Sequence, residues 1–520
     1  LPPVKLSFNT AGPCVAGEHY MLPPERRLGR VLRLIENRKY FTLHAGRQTG
    51  KTTSARWLVE HLNREGAFRA AWVDVQIARE EPDPTRAFEA VLYALDTAVD
   101  RDLPDLGPPA DDVRCVEPAS TFVLRYLRDL AARSDRPLVM LVDEADGLVG
   151  AAMVSFLTQL RQGYLDRSRT PFPSSVALIG QRQVRDYALA VEERRAVSWL
   201  GTTSPFNITA EAMTLGPFTE AEVAELLAQH TAATGQRFEP EAARRIWELG
   251  QGHPWLTNAM ADQIVGHDVE DRTIPITSAH VDAAKETLIL ERRSHIDSLV
   301  ARLREPRVRR VLDPMLAGGQ TAGDVLDDDF SYVLGLGLIR FHGGRFEIAN
   351  PIYREVVPRA LTFIRQAQIS AEPAAYVRPD GSLDMDSLFT DWQASWRKDG
   401  HLAAEGFGYR ESGPHLVLMA FLQRVVNGGG RVEREYGLGR GALDLMICWR
   451  EERHAIEVKV RRDTETEAEA LDQVARYLEH AGLGEGWLVM FDLRKERSWQ
   501  EKLFVREVAH EGKTVRLVGS

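Results

Sequence analysis

Short apolar runs alternate with amphipathic stretches through the first part of the chain. Tyr40 to Leu43, Ala70 to Val75 (AAWVDV), Pro137 to Val142 and Ser175 to Gly180 (SVALIG) are nearly continuous in apolar residues. Runs without polar alternation suit parallel strands covered on both faces. Thr52 to Leu62 and Ser120 to Arg133 lie between them and carry apolar residues at helical spacing. Alternating strand and helix predicts an α/β fold with a parallel sheet. Residues 82–118, rich in Pro and Asp, predict a helix flanked by irregular loops. A short helix from Glu25 to Asn37 follows the Pro-punctuated start. Met213 to Phe218 and a helix from Glu220 to Thr234 carry the chain out of the sheet. A further helix from Trp255 to Val265 has Pro254 in its first turn.

The second half has a different rhythm. Helices run to Leu316, and another from Asp327 to Leu334 ends at Gly335 and Gly337. Leu338 to Phe341 and Arg345 to Ile348 are strand-like and joined by His342-Gly343-Gly344, which predicts a β-hairpin. Residues 369–383 are turn-rich and form a linker. Helices over 385–398 and 412–427 then precede a Gly428-Gly429-Gly430 break. Val432 to Tyr436, Leu443 to Trp449 and Ala455 to Val460 follow as strands. A helix carrying Gln473 and Tyr477 and a strand from Gly486 to Asp492 complete the pattern. The expected domains are 1–215, 216–290, 291–368, a linker 369–384, and 385–520.

Apolar content of 44% and charged content of 27% are those of a soluble globular protein. No apolar run approaches a membrane span, and residues 1–30 lack a signal-peptide layout, so a cytoplasmic protein is expected. Cys14, Cys115 and Cys448 lie far apart without metal-ligand spacing and suit reduced thiols. The net charge of −10 argues against coating nucleic acid by charge alone, though not against a local basic face.

The first chemical signal is Ala45-Gly46-Arg47-Gln48-Thr49-Gly50-Lys51-Thr52-Thr53, set between a strand and a helix. Backbone N–H groups of Gln48 to Lys51 and the positive end of the new helix suit a bound phosphate. Lys51 would reach the β- and γ-phosphates of ATP, and the Thr52 hydroxyl would ligate Mg²⁺. Ala45 stands where the pattern favours Gly, so either its φ is negative or Gly46 takes the strain. The apolar strand at Leu138 to Val142 ends in Asp143 and Glu144. Asp143 would hold the Mg²⁺ shell, and Glu144 would orient and deprotonate the attacking water. Gln181 and Arg182, at the tip of the next strand, are placed to sense the γ-phosphate. Arg182, Arg185, Arg194 and Arg195 are arginine-finger candidates for a neighbouring subunit. Tyr20 and Arg26 would line a base pocket or serve in surface packing.

GRQTGKTT, LVMLVDE, LGPFTEAEV and GHPWLTNAMA together resemble the AAA-like ATPases related to the signal-transducing (STAND) and archaeal ATPase clade. The resemblance covers roughly residues 1–290 and implies a helical lid, then a winged helix over 291–368. Arg302, Arg304, Arg307, Arg309 and Arg310 cluster there, either to grip phosphates or as an ion-paired face.

The second signal lies on the later strands. Glu457 and Lys459 share one strand face, and Asp444 on the neighbouring strand can meet Glu457 across the ladder. Two carboxylates beside a lysine make a Mg²⁺ site in which the lysine supports a hydroxide nucleophile. The order of helices and strands over 385–520 resembles the PD-(D/E)XK nuclease superfamily, although Leu443 replaces its usual Pro. That resemblance implies a restriction-endonuclease-like α/β domain, an acid from the preceding helix (Glu411 fits best) and a role for Gln473. Basic residues do not outnumber acidic ones over 401–520. Affinity for DNA would rest on Lys459, Arg461 and Arg462, the winged helix or homo-oligomerisation. The expected function is an ATPase whose nucleotide state controls metal-dependent DNA cleavage, as in defence against foreign DNA or mobile-element biology. The alternative is a nucleotide-switched scaffold that cuts nothing.

Overall fold

The computed structural model describes residues 6–110, 118–180, 208–291, 294–303, 305–316, 327–357, 376–397, 412–426, 430–438, 441–461, 465–492, 494 and 497–520. The chain forms two compact units. One is Leu1–His295 with Asp324–Arg340, and the other is Ile296–Gly323 with Phe341–Ser520. The 291–368 segment is therefore divided between both.

The first unit is built on β1 (Tyr40–His44), β2 (Arg69–Asp74), β3 (Leu138–Asp143), β4 (Ser175–Gly180) and β5 (Thr209–Thr214). They pair in parallel in the order β2-β3-β4-β1-β5. Side chains alternate between two cores, as the two-residue repeat of a strand requires. Tyr40, Val73, Met140, Val142 and Leu178 meet helices Pro84–Asp102, Phe122–Arg133 and Gly150–Asp166 on one face. Phe41, Leu43, Trp72, Leu141 and Ile179 meet helices Glu25–Glu36 and Lys51–Glu65 on the other. This fixes where chemistry can sit, because Trp72, Leu141 and Asp143 belong to the same face as the Lys51–Glu65 helix.

β5 corrects the expectation that Met213 to Phe218 simply leads out of the sheet. Thr209–Thr214 runs beside β1 as an edge strand, with Leu43 opposite Met213 and His44 opposite Thr214. An edge strand needs no continuous apolar run, so TAEAMT gave no signal. Tyr20 is also corrected. It is 2% exposed, its hydroxyl lies 3.2 Å from His230 Nδ1, and its ring packs 4.7 Å from Phe8. It is a core residue of the helical part, and Arg26 pairs with Glu225 at 2.6 Å.

That helical part comprises Glu220–Thr234, Pro240–Gly250, Pro254–Gln263 and Ser278–Leu290. The first of these starts at a capping box formed by Thr219 and Glu222. Gly252 sits at φ +71°, and a Cβ there would fall 1.9 Å from the Phe218 carbonyl oxygen, whose own N–H donates to Gly252 O.

β6 (Ile339–His342) and β7 (Arg345–Ile348) pair as a two-stranded sheet, with Gly343 and Gly344 at positive φ in the turn. The hairpin expected there is present. Arg302 pairs with Glu305 at 2.6 Å, while Arg304 lies outside the described residues.

The second unit carries β8 (Gly430–Leu438), β9 (Gly441–Trp449), β10 (Glu452–Val460), β11 (Glu485–Phe491), β12 (Val505–His510) and β13 (Lys513–Gly519). Their order is β12-β13-β11-β10-β9-β8, with β10, β11 and β13 parallel. β12 and β13 escaped the sequence reading, because β12 is a largely exposed edge whose alternation is half polar. The Glu465–Ala481 helix covers one face through Val474 and Leu478. Trp392, Trp396, Phe421 and Phe491 cluster in another aromatic core. No described helix is long and apolar enough to cross a membrane.

Gly252→Ala should destabilise the first unit by about 2 kcal/mol or more, since the substitution meets backbone and adopts positive φ. Chemical denaturation checks this, and a stability within about 0.5 kcal/mol of wild type would contradict the contact.

Candidate functional site

The loop after β1 solves its backbone problem at Gln48 (φ 57°) and Gly50 (φ 89°). Neither Ala45 nor Gly46 has positive φ, so Ala is tolerated at the first position. Gly46 is needed for closeness instead, since a Cβ there would lie 2.9 Å from the Leu336 carbonyl oxygen. The Lys51–Glu65 helix starts at the loop's end with Gly50 as its N-cap. Lys51 is 7% exposed, and its Nζ donates to Ala45 O and Gly46 O, each at 2.8 Å. Burial lowers its pKa, and Asp143, Glu144 and Asp146 oppose that. Thr49 donates to Gly46 O at 2.9 Å, bracing the loop from within. The Thr53 hydroxyl accepts from the Cys14 N–H at 3.0 Å and so holds the N-terminal segment.

β3 delivers its acids to the same place. Thr52 donates to Asp143 Oδ2 at 2.8 Å, the Trp72 indole donates to the same oxygen at 3.2 Å, and the Glu144 N–H donates to Oδ1 at 2.9 Å. Burial raises the Asp143 pKa against these three donors. Two hard oxygens, the Thr52 hydroxyl and the Asp143 carboxylate, thus meet at a helix N-terminus and fit Mg²⁺. Glu144 sits at φ 52°. Its carboxylate is raised by burial, then by Asp146 and Asp143, and Arg79 pairs with it at 2.5 Å.

Sequence reasoning missed Trp72, Arg79 and His253. The first two lie on β2 and just after it, a strand read only as core. His253, from the Gly-His-Pro-Trp turn, is hydrogen-bonded to the Arg47 backbone and packs 4.7 Å from His295. Burial pushes its pKa down to about 4. Gln181, Arg182, Arg185, Arg194 and Arg195 lie outside the described residues.

Residues 35–187 match the AAA domain family. Over this stretch the chain is similar to AAA-type P-loop ATPase cores. The match supports nucleotide binding and hydrolysis. The chain is also similar to a Walker-type ATPase of Pyrococcus abyssi, at 15% identity and a TM-score of 0.46 over 67% of this chain and 99% of that one. Similarity to the ORC2 protein of Aeropyrum pernix has 14% identity and a TM-score of 0.35, over 65% and 93%. That to Cdc6p of Pyrobaculum aerophilum has 14% identity and a TM-score of 0.37, over 66% and 95%. No curated protein matches the chain.

The second unit, outside the ATPase core, gathers the other acids. Asp444 on β9 accepts from the Val458 N–H at 2.8 Å, and Lys459 Nζ lies 2.8 Å from Glu457 Oε1. Glu457 has no exposed surface. Its pKa is pushed up to about 7, by burial first and Asp444 second, against the pull of Lys459. Burial works to lower the Lys459 ammonium, but Glu457 and Asp444 outweigh it and hold it above its ordinary value. Two acids forced together beside one cation suit a divalent metal. Gln473 donates to the Tyr477 hydroxyl at 2.9 Å on the covering helix. Glu411 lies outside the described residues.

Arg79→Ala should cost less than about 1 kcal/mol in stability, the pair being partly exposed. It should raise ATP turnover about two- to tenfold by freeing Glu144 as a proton acceptor. Unchanged turnover would make the pair a surface bridge only.

The folded-state pKa of Glu457 lies above its ordinary 4.5, so its contribution is complete below that pH and lost as pH rises through about 7. In metal-free protein at pH 8, Glu457→Gln should therefore be more stable than wild type by on the order of 2 kcal/mol. The advantage should disappear by pH 4. Denaturant titrations at both pH values check this, and no gain at pH 8 would contradict the burial argument.

Proposed function

We propose that the chain binds and hydrolyses ATP at the loop Ala45–Thr53, and that its nucleotide state controls phosphodiester cleavage at Asp444, Glu457 and Lys459. The observation that carries the first part is that Lys51 donates to the loop carbonyls of Ala45 and Gly46 while Thr52, next in the chain, donates to Asp143. Lys51 leaves its loop carbonyls for the phosphates, a change its three rotatable donors allow. Thr52 directs its proton to Asp143, leaving an oxygen lone pair for the cation. Glu144 takes the proton of the attacking water once Arg79 releases it. Mg²⁺ bound here neutralises charge on the β- and γ-phosphates.

At the second site, burial of Glu457 between Asp444 and Lys459 supports the nuclease reading. The two carboxylates hold the cation, and Lys459 steadies a water as it loses its proton. A divalent cation there polarises the phosphodiester. Gln473 on the covering helix and Glu411 belong to the same reading. DNA is the proposed substrate, with homo-oligomers formed through the ATPase core. The rival, a nucleotide-switched scaffold, draws on the lack of excess positive charge over 401–520.

Plasmid cleavage with Mg²⁺ or Mn²⁺, with and without ATP, tests this. Lys51→Ala should abolish ATP turnover, and Glu144→Gln should keep ATP bound but unhydrolysed. Asp444→Ala, Glu457→Ala and Lys459→Ala should lose cleavage by about a hundredfold or more while ATP hydrolysis persists. Only the two carboxylate variants should weaken Mn²⁺ binding. No cleavage by wild type under any condition moves the assignment to the scaffold.

A further inference from the structure

We propose that Trp72 is a positioning residue for the Thr52–Asp143 pair, its indole N–H holding the Asp143 carboxylate where Thr52 can donate to it and present a lone pair to a divalent cation. The inference rests on the ATPase reading above and extends it to a residue that touches neither nucleotide nor metal.

The placement follows from register. β2 and β3 are parallel neighbours, with Trp72 opposite Leu141 and Asp74 opposite Asp143. Trp72 and Asp143 point to the same sheet face, so the long indole reaches along the strand direction to the carboxylate, 3.2 Å from Nε1 to Oδ2. The same oxygen accepts from Thr52 at 2.8 Å, and the other accepts from the Glu144 N–H at 2.9 Å. Asp143 is 1% exposed. At that burial these three bonds orient the carboxylate.

Trp72 is itself held in place. Its backbone N–H donates to Asp102 Oδ2 at 2.9 Å, and its carbonyl accepts from Arg101. The guanidinium carbons of Arg56 and Arg101 lie 4.8 Å and 4.9 Å from the ring centroid. Positive charge over an indole draws density from the ring and makes its N–H a stronger donor. Outer partners of this kind tune the metal without touching it.

Trp72→Phe keeps the ring in the core and beneath both arginines but removes the N–H. The test is titration of a fluorescent ATP analogue into the full chain, first without metal and then at increasing Mg²⁺. The expected result is unchanged metal-free affinity and about a tenfold higher half-saturating Mg²⁺ concentration. An unshifted Mg²⁺ titration overturns the proposal, and so does equal loss of binding with and without Mg²⁺, which marks a structural role. Wild type that binds no analogue overturns the ATPase reading itself, a separate result. If Trp72→Phe does not fold, indole ¹⁵N NMR supplies the readout. Among the ten tryptophans, Asp143→Asn should shift one indole N–H resonance strongly, because a neutral amide replaces its charged acceptor. An unchanged indole spectrum overturns the proposal.

Discussion

A carboxylate taken out of water must find donors, and in the first unit the arrangement around Asp143 is that solution. Left alone in a dry interior, an ionised acid would cost several kcal/mol. Here Thr52, Trp72 and the Glu144 N–H share the load. Each donor comes from a different element: the helix after the loop, the neighbouring strand, and the turn after β3. Satisfying one buried charge therefore ties the phosphate loop to the sheet. The parallel order β2-β3-β4-β1-β5 makes this possible, since it brings the carboxyl ends of β1 and β3 to one edge with only β4 between them. Gly180, at the end of β4, leaves room for the Asp146 carboxylate, which a Cβ would approach to 2.8 Å.

Much of this was legible in the residues. Four of the five strands announced themselves as apolar runs, and the loop and its acids followed from Gly46 to Thr52 and from Asp143 and Glu144. The edge strand β5 did not, because a strand covered on one side only carries polar positions and its apolar spacing weakens. The pairing partners also stayed hidden. Nothing local to Trp72 or Arg79 marks them as neighbours of Asp143 and Glu144, since those contacts are set by strand register across about 70 residues of chain. His253 stands in the sequence only as part of a motif, and its hydrogen bond to the Arg47 backbone is tertiary.

The second unit shows the same division. Two-residue alternation put Glu457 and Lys459 on one strand face and Asp444 beside them, and the structure brings the three together. Burial was the part alternation could not give. The Glu465–Ala481 helix covers that face, which leaves Glu457 with no exposed surface, held against Lys459. This changes the chemistry from a surface ion pair, worth little, to a buried charge cluster whose energy depends on pH.

On the function proposed above, the loop from Ala45 to Thr53 and the acid end of β3 form one Mg²⁺-dependent ATP site. Equilibrium dialysis of labelled ATP against the full chain, with Mg²⁺ and with a chelator, tests it most directly. The expected result is saturable binding of one ATP per chain that weakens when Mg²⁺ is removed and when Thr52 is replaced by Ala. Binding that never saturates, or that is the same with Mg²⁺, with chelator and in Thr52→Ala, would contradict the claim.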